Sequence, residues 1–129
     1  MMIQRNLGAA LCFVAMAGVL YAQRATELYI PLGESPELSE RNTVIGTIEV
    51  VDADGRAIVV RSNGESFATD VTDETQIYLD KSKLREKNDY GAFEDLVEGA
   101  RVEILYQVDE RAAEGPARWI KVEVSPSRR

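Results

Sequence analysis

Two turn signals set close together constrain the fold of this chain more than any other feature. Asp52-Ala53-Asp54-Gly55 and Ser62-Asn63-Gly64 each interrupt a run of β-branched residues. Asp-Gly and Asn-Gly supply the positive φ angles that a tight hairpin needs, and Asn-Gly is the strongest short signal of that kind. The runs around them are Thr43 to Asp52, Arg56 to Arg61 and Glu65 to Val71. Together they predict a three-stranded antiparallel meander. Gly46 lies inside the first strand, where a glycine marks a bulge or a tight bend that lets a sheet curl.

The second half supplies more strands. Gln76 to Leu79 predicts a short one, with Ile77 and Leu79 in phase. Phe93 to Glu98 reads as a short helical turn, Gly99 as a corner, and Arg101 onward as a strand. There Val102, Ile104, Tyr106 and Val108 alternate with Arg101, Glu103, Gln107 and Asp109. Period-two alternation predicts a half-buried strand with its polar face in water. Leu105 is the one apolar residue on that polar face. The last strand, Ala117 to Val124, turns Ile120, Val122 and Val124 inward, which places Trp119 outward beside Lys121 and Glu123. Two polar loops separate these strands. Residues 80–91 carry the only basic cluster (Lys81, Lys83, Arg85, Lys87), which fits a solvated surface or a patch meeting acidic groups; residues 109–116 form the second loop.

The expected fold is mainly all-β. It is a small antiparallel barrel of five to six strands with one short helical turn, because closure removes exposed sheet edges. The barrel domain is expected over 43–125, followed by a disordered tail at 126–129.

The N-terminus has a different character. Arg5 is the only charge before Arg24, and Leu7 to Tyr21 is almost wholly apolar and small. A basic start followed by such a run is the pattern of a signal peptide, here spanning 1–22, with cleavage expected between Ala22 and Gln23. A retained membrane anchor is the rival reading, but the run falls short of the roughly 20 apolar residues that span a bilayer. A lipoprotein would need a cysteine at the cleavage point, and Cys12 lies too early. Cleavage removes Cys12, the only cysteine, so the barrel must be held without disulfides.

Residues 23–42 form an extended arm. Pro31, Gly33 and Pro36 forbid a regular helix and discourage a central strand. Yet Leu28, Tyr29, Ile30, Leu32 and Leu38 are apolar, which is unusual for a tether. Two readings fit. Either the arm packs back on the barrel, or it docks on a partner or a neighbouring copy by adding a strand to a sheet edge.

The segments Gly46–Asp52, Ile58–Val60, the Phe67 strand, Thr75–Ile77, Phe93–Ile104 and Ala117–Val122 together resemble the exported bacterial domains grouped as DUF5666, which are OB-like small β-barrels. Other exported OB-like barrels, including a periplasmic copper-binding group, share much of this pattern. The basic insertion Lys81 to Tyr90 and the proline-containing arm depart from it. The resemblance brings no catalytic residues.

Composition narrows the chemistry. The chain has 15 Lys+Arg, 22 Asp+Glu and no histidine, a net charge of −7. Loss of Arg5 leaves 14 basic against 22 acidic residues, or −8. Such a balance repels nucleic acid and anionic membranes. With no histidine, no cysteine after cleavage and no Gly-x-Ser-x-Gly elbow, nucleophilic catalysis has no support. All three methionines (Met1, Met2, Met16) precede the cleavage point, which argues against a copper site. Asp52-Ala53-Asp54-Gly55 lacks the further oxygen ligands of a calcium loop and reads as a turn. Glu94, Asp95 and Glu98 resemble paired carboxylates but frame a helical turn, where negative charge suits the N-terminal end.

The expectation is therefore an exported, non-enzymatic barrel, periplasmic or extracellular, without cofactor or metal. It carries no stable membrane span after cleavage and does not bind nucleic acid. It acts as a protein-binding or assembly module, contacting a partner or itself through residues 26–42. Tyr29, Ile30, Leu32 and Trp119 are the candidate contacts. For Trp119 a cover by the arm or the 109–116 loop competes with an exposed contact. The alternative function is binding of a small ligand or oligosaccharide on the barrel face near Trp119.

Overall fold

A computed structural model describes residues 26–107 and 114–126. The expected signal segment with its expected cleavage between Ala22 and Gln23, most of the 109–116 loop and the end of the tail lie outside the described residues.

Seven strands form: β1 (Val44–Asp52), β2 (Ala57–Ser62), β3 (Glu65–Asp70), β4 (Gln76–Asp80), β5 (Asp89–Tyr90), β6 (Arg101–Tyr106) and β7 (Gly115–Glu123). β1, β2 and β3 make the expected antiparallel meander. β1 also pairs with β6, and β6 with β7, both antiparallel. β7 then meets β3 in parallel, Thr69 opposite Gly115, which closes a five-stranded barrel. The order β1-β2-β3-β7-β6 and back to β1 is that of an OB-like barrel.

The expectation of a wholly antiparallel sheet is corrected by β7. It runs parallel to β3 at its start and parallel to β4 from Trp119 on, Gln76 opposite Trp119. β3 and β4 are thus two parts of one strand position, interrupted by the loop 71–75. β6 runs antiparallel to β7 and starts level with the end of β4, so it returns the chain to the end from which β7 can run parallel to β4. β5, two residues long, pairs with β4 from within the loop expected to be irregular. Elsewhere in that loop Ser82–Leu84 makes a 3-10 turn, as does Phe93–Asp95.

Local chemistry explains the corners. Asn63 and Gly64 both have positive φ, at 51° and 83°, as a two-residue hairpin turn requires. In the first hairpin the expectation that Asp-Gly supplies the positive φ is corrected: that angle belongs to Arg56 (51°). The turn there holds four residues, with Asp52 opposite Ala57, and the Asp52 carboxylate accepts the Gly55 N–H at 3.0 Å. Gly46 is required by proximity. A Cβ there would overlap the Arg61 carbonyl oxygen and stand 2.8 Å from Val60 Cγ1. The bulge itself lies between Ile48 and Val50.

The barrel interior is filled by Ile48, Ile58, Val60, Val102, Ile104 and Ile120, with Tyr106 among them. The Tyr106 hydroxyl shares a 2.6 Å hydrogen bond with Thr69 Oγ1. Burial raises the Tyr106 pKa above its usual value, the Thr69 bond opposes this, and Glu114 adds to it. Phe93 and Leu96 close one mouth of the barrel, with the Arg56 guanidinium 4.7 Å over the Phe93 ring. Asp95 accepts the Ala92 N–H at 2.8 Å, so this carboxylate caps the turn as expected.

Candidate functional site

The strongest departure from the alternation pattern is on the outer face of β4, β6 and β7. Its residues include Glu103, Leu105, Trp119, Lys121, Tyr78 and Asp80, and every one is buried. The reason is the arm. Residues 26–42 do not extend. They run in successive short turns, with Tyr29 N–H on the Thr26 carbonyl, Glu34 on Pro31 and Ser39 on Ser35. In this compact form they lie across that face. The reading in which the arm packs on the barrel is the one the fold adopts.

Two kinds of contact hold the arm. The first is apolar. Leu28, with Leu38 beside it, packs against Tyr78, Leu105 and Trp119. The Tyr78 and Trp119 rings meet edge to face at 6.3 Å. The second is a buried polar layer. The Lys121 ammonium lies 3.0 Å from Glu27 Oε1, with both side chains almost fully enclosed, and 5.0 Å from the Trp119 ring centroid. Ser35 Oγ donates to the same Glu27 oxygen at 2.6 Å. Glu103 accepts from the Gly33 N–H at 2.9 Å, from Ser39 Oγ at 2.5 Å and from Thr43 Oγ1 at 2.9 Å. Asp80 accepts the Leu32 N–H at 2.8 Å and the Ser82 N–H at 2.9 Å. Asn88 donates to the Leu28 carbonyl at 3.1 Å, tying the basic loop to the arm.

The layer is saturated. Among the described residues no buried side-chain nitrogen or oxygen lacks a partner. These donors and acceptors are spent on one another. Among the described residues no group of three or more acidic, cysteine or histidine side chains is arranged to hold a metal. The chemistry available here is attachment: the arm is fixed to the barrel by charge and by shape.

The candidate contact residues therefore separate. Leu32 is buried, its amide on Asp80, and Trp119 is only 3% exposed. In both cases the packed reading is the one adopted: Leu32 lies on the inner side of the arm, and Trp119 lies beneath the arm on the barrel. Ile30 is half-buried. Tyr29 alone keeps a large exposed surface, 67%. Sequence reasoning missed Tyr90, 52% exposed, which rests on Tyr78 at 5.9 Å between ring centroids. The signal was weak, a single aromatic at the end of a charged loop. The basic loop meets the chain's own acidic barrel through Lys83, 3.0 Å from Glu123, and Arg101 reaches the same carboxylate at 3.3 Å.

No protein-family model, no curated protein and no solved structure matches this chain.

Proposed function

We propose that this chain is an exported, non-enzymatic barrel domain that binds a protein partner of the cell envelope, or a second copy of itself, through the outer surface of its fixed arm. One observation carries the reading: Tyr29 is displayed at 67% exposure on a segment that is otherwise pinned by buried charges and hydrogen bonds. An aromatic side chain on a rigid mount loses little freedom on binding, and tyrosine is enriched among the residues that dominate interfaces. Tyr90, also exposed, flanks the same Leu28, Tyr78 and Trp119 cluster through its contact with Tyr78.

The apolar segment Leu7 to Tyr21 and the resemblance to exported DUF5666-type barrels support the envelope as its place. No helix among the described residues is long and apolar enough to cross a membrane. The Trp119 ring lies beneath the arm, so an oligosaccharide site centred on it, the alternative reading, requires displacement of the arm.

The test uses the full chain with a photo-crosslinking residue at position 29, and separately Tyr29→Ala and Tyr90→Ala. Specific crosslinks from position 29, to a second copy or to one envelope protein, and their loss in Tyr90→Ala, are expected. Equal crosslinking from an arbitrary exposed position such as Asp54 refutes the reading. Export is tested by N-terminal sequencing of the mature protein, which is expected to begin at Gln23; an intact Met1 in the cytoplasmic fraction overturns it.

A further inference from the structure

A five-stranded barrel has two mouths, and this one treats them differently. Phe93 and Leu96 close the end near the β1–β2 turn, where Arg56 covers the Phe93 ring. At the other end of β2 lies an open groove of about 680 Å³. It exists because β1 changes partners. From Thr47 onward β1 pairs with β2, but Val44 to Gly46 pair only with β6, so the start of β1 diverges from the β2–β3 turn. Ser62 Oγ spans the gap at its inner end, donating to the Ile45 carbonyl at 2.6 Å.

The groove has a mixed chemistry. Its floor is Val44, Ile45 and Phe67, all only half-buried. Its rim carries Glu40 and Glu65, and among the described residues no lysine or arginine lines it. The nearby Arg61 is turned to the outer face of β2, where Glu49 holds it at 3.0 Å. An apolar floor beneath a carboxylate rim matches a side chain with a long hydrocarbon stem and a cationic head. The net charge of −7 adds a long-range attraction of the same sign.

We propose that this mouth binds the basic side chains of an extended, lysine- or arginine-bearing segment of a protein partner. The stem lies over Phe67 and Val44, and the head reaches Glu40 and Glu65. Tyr29 does not line this groove, although Glu40 belongs to the same arm, so the peptide titration and the crosslink from position 29 are read separately.

The experiment measures fluorescence anisotropy of a labelled octapeptide of alternating valine and lysine, titrated with the full chain at moderate salt. A valine–glutamate octapeptide is the counter-probe. Binding of the lysine peptide alone is expected, weakened about tenfold by Glu40→Gln/Glu65→Gln, in keeping with the loss of two exposed charge contacts. Glu94→Gln/Glu98→Gln makes the same change in net charge away from the groove and is expected to leave binding within about twofold. Amide NMR shifts on titration are expected at residues 43–45 and 62–67. Equal weakening by both variant pairs, shifts confined to other surfaces, or no binding of the lysine peptide each overturns the proposal.

Discussion

Replacing Lys121 by methionine isolates what holds the arm. The substitution keeps most of the side-chain volume and removes one charge of a pair whose members are almost entirely enclosed. Glu27 is then left as a buried carboxylate with Ser35 as its remaining hydrogen-bond donor. Removing one partner of a buried ion pair costs roughly 3–5 kcal/mol, because the other charge stays out of water unpaired. A domain of this size has a total stability of about 5–15 kcal/mol, so the loss is a large part of the whole. It need not fall on the barrel. The interior takes Ile120 and Val122 from β7, and Lys121 between them points to the opposite face of that strand. The cheapest relief is to release the arm and return Glu27 to water. Trp119, the only tryptophan, reports that event directly. Lys121→Met is expected to shift its emission to the red and to raise its quenching by acrylamide, while far-UV circular dichroism keeps the barrel signal. The double variant Glu27→Gln/Lys121→Met removes both charges and retains an acceptor for Ser35. It is expected to recover most of the loss, since an uncharged replacement of a buried pair is often neutral or better. Unchanged Trp119 emission and a stability within about 0.5 kcal/mol of the parent refute the reasoning, as does a double variant whose loss equals the sum of the singles.

Three further outcomes follow from the geometry. Gly46→Ala drives a methyl group into the Arg61 carbonyl and is expected to cost about 1–3 kcal/mol by denaturant titration. Glu103→Leu strands three donors, two of them (Gly33 and Ser39) in the arm, and is expected to cost at least about 1–3 kcal/mol, with faster hydrogen exchange at the Gly33 amide. Tyr106 has a raised pKa in the folded state, so its contribution to stability is fully present below the unfolded value near 10 and is lost as pH rises from there through the folded value. Stability measured against pH is expected to fall above about pH 10 in the parent and to fall less steeply in Tyr106→Phe.

The hairpins and the Phe93–Gly99 corner were legible from sequence because each rests on nearby residues: Asn63-Gly64 needs no distant partner to turn, whereas Gly46 is fixed by the distant Arg61 carbonyl and the bulge falls between Ile48 and Val50. The faces of β6 and β7 were not, because alternation reports only that two faces differ. It cannot say whether the polar face meets water or another polar segment. Glu103 and Lys121 look like solvated residues on a strand, and they are buried under the arm. A complementary clue was present in Leu105 and Trp119, apolar side chains on an otherwise polar face, and in an arm with more leucines than a tether needs. Each half of that interface looks incomplete alone. The parallel pairings of β7 were hidden for a similar reason, since a closing strand is chosen by the completed barrel and not by its neighbours in sequence. Tyr90 was missed because β5 exists only through its pairing with β4.

β7 bonds to β6, to β4 and, at its start, to β3, and it also carries the lysine that receives the arm. Glu27 and Lys121 are 94 positions apart in the chain. A contact network of that kind makes folding late and slow, because the cost of closing long loops falls due before the contacts that repay it exist. Until residues 115–123 are available, the meander has no closing strand and the arm has no seat. Closure of the barrel and seating of the arm are therefore one event, both waiting on the same strand.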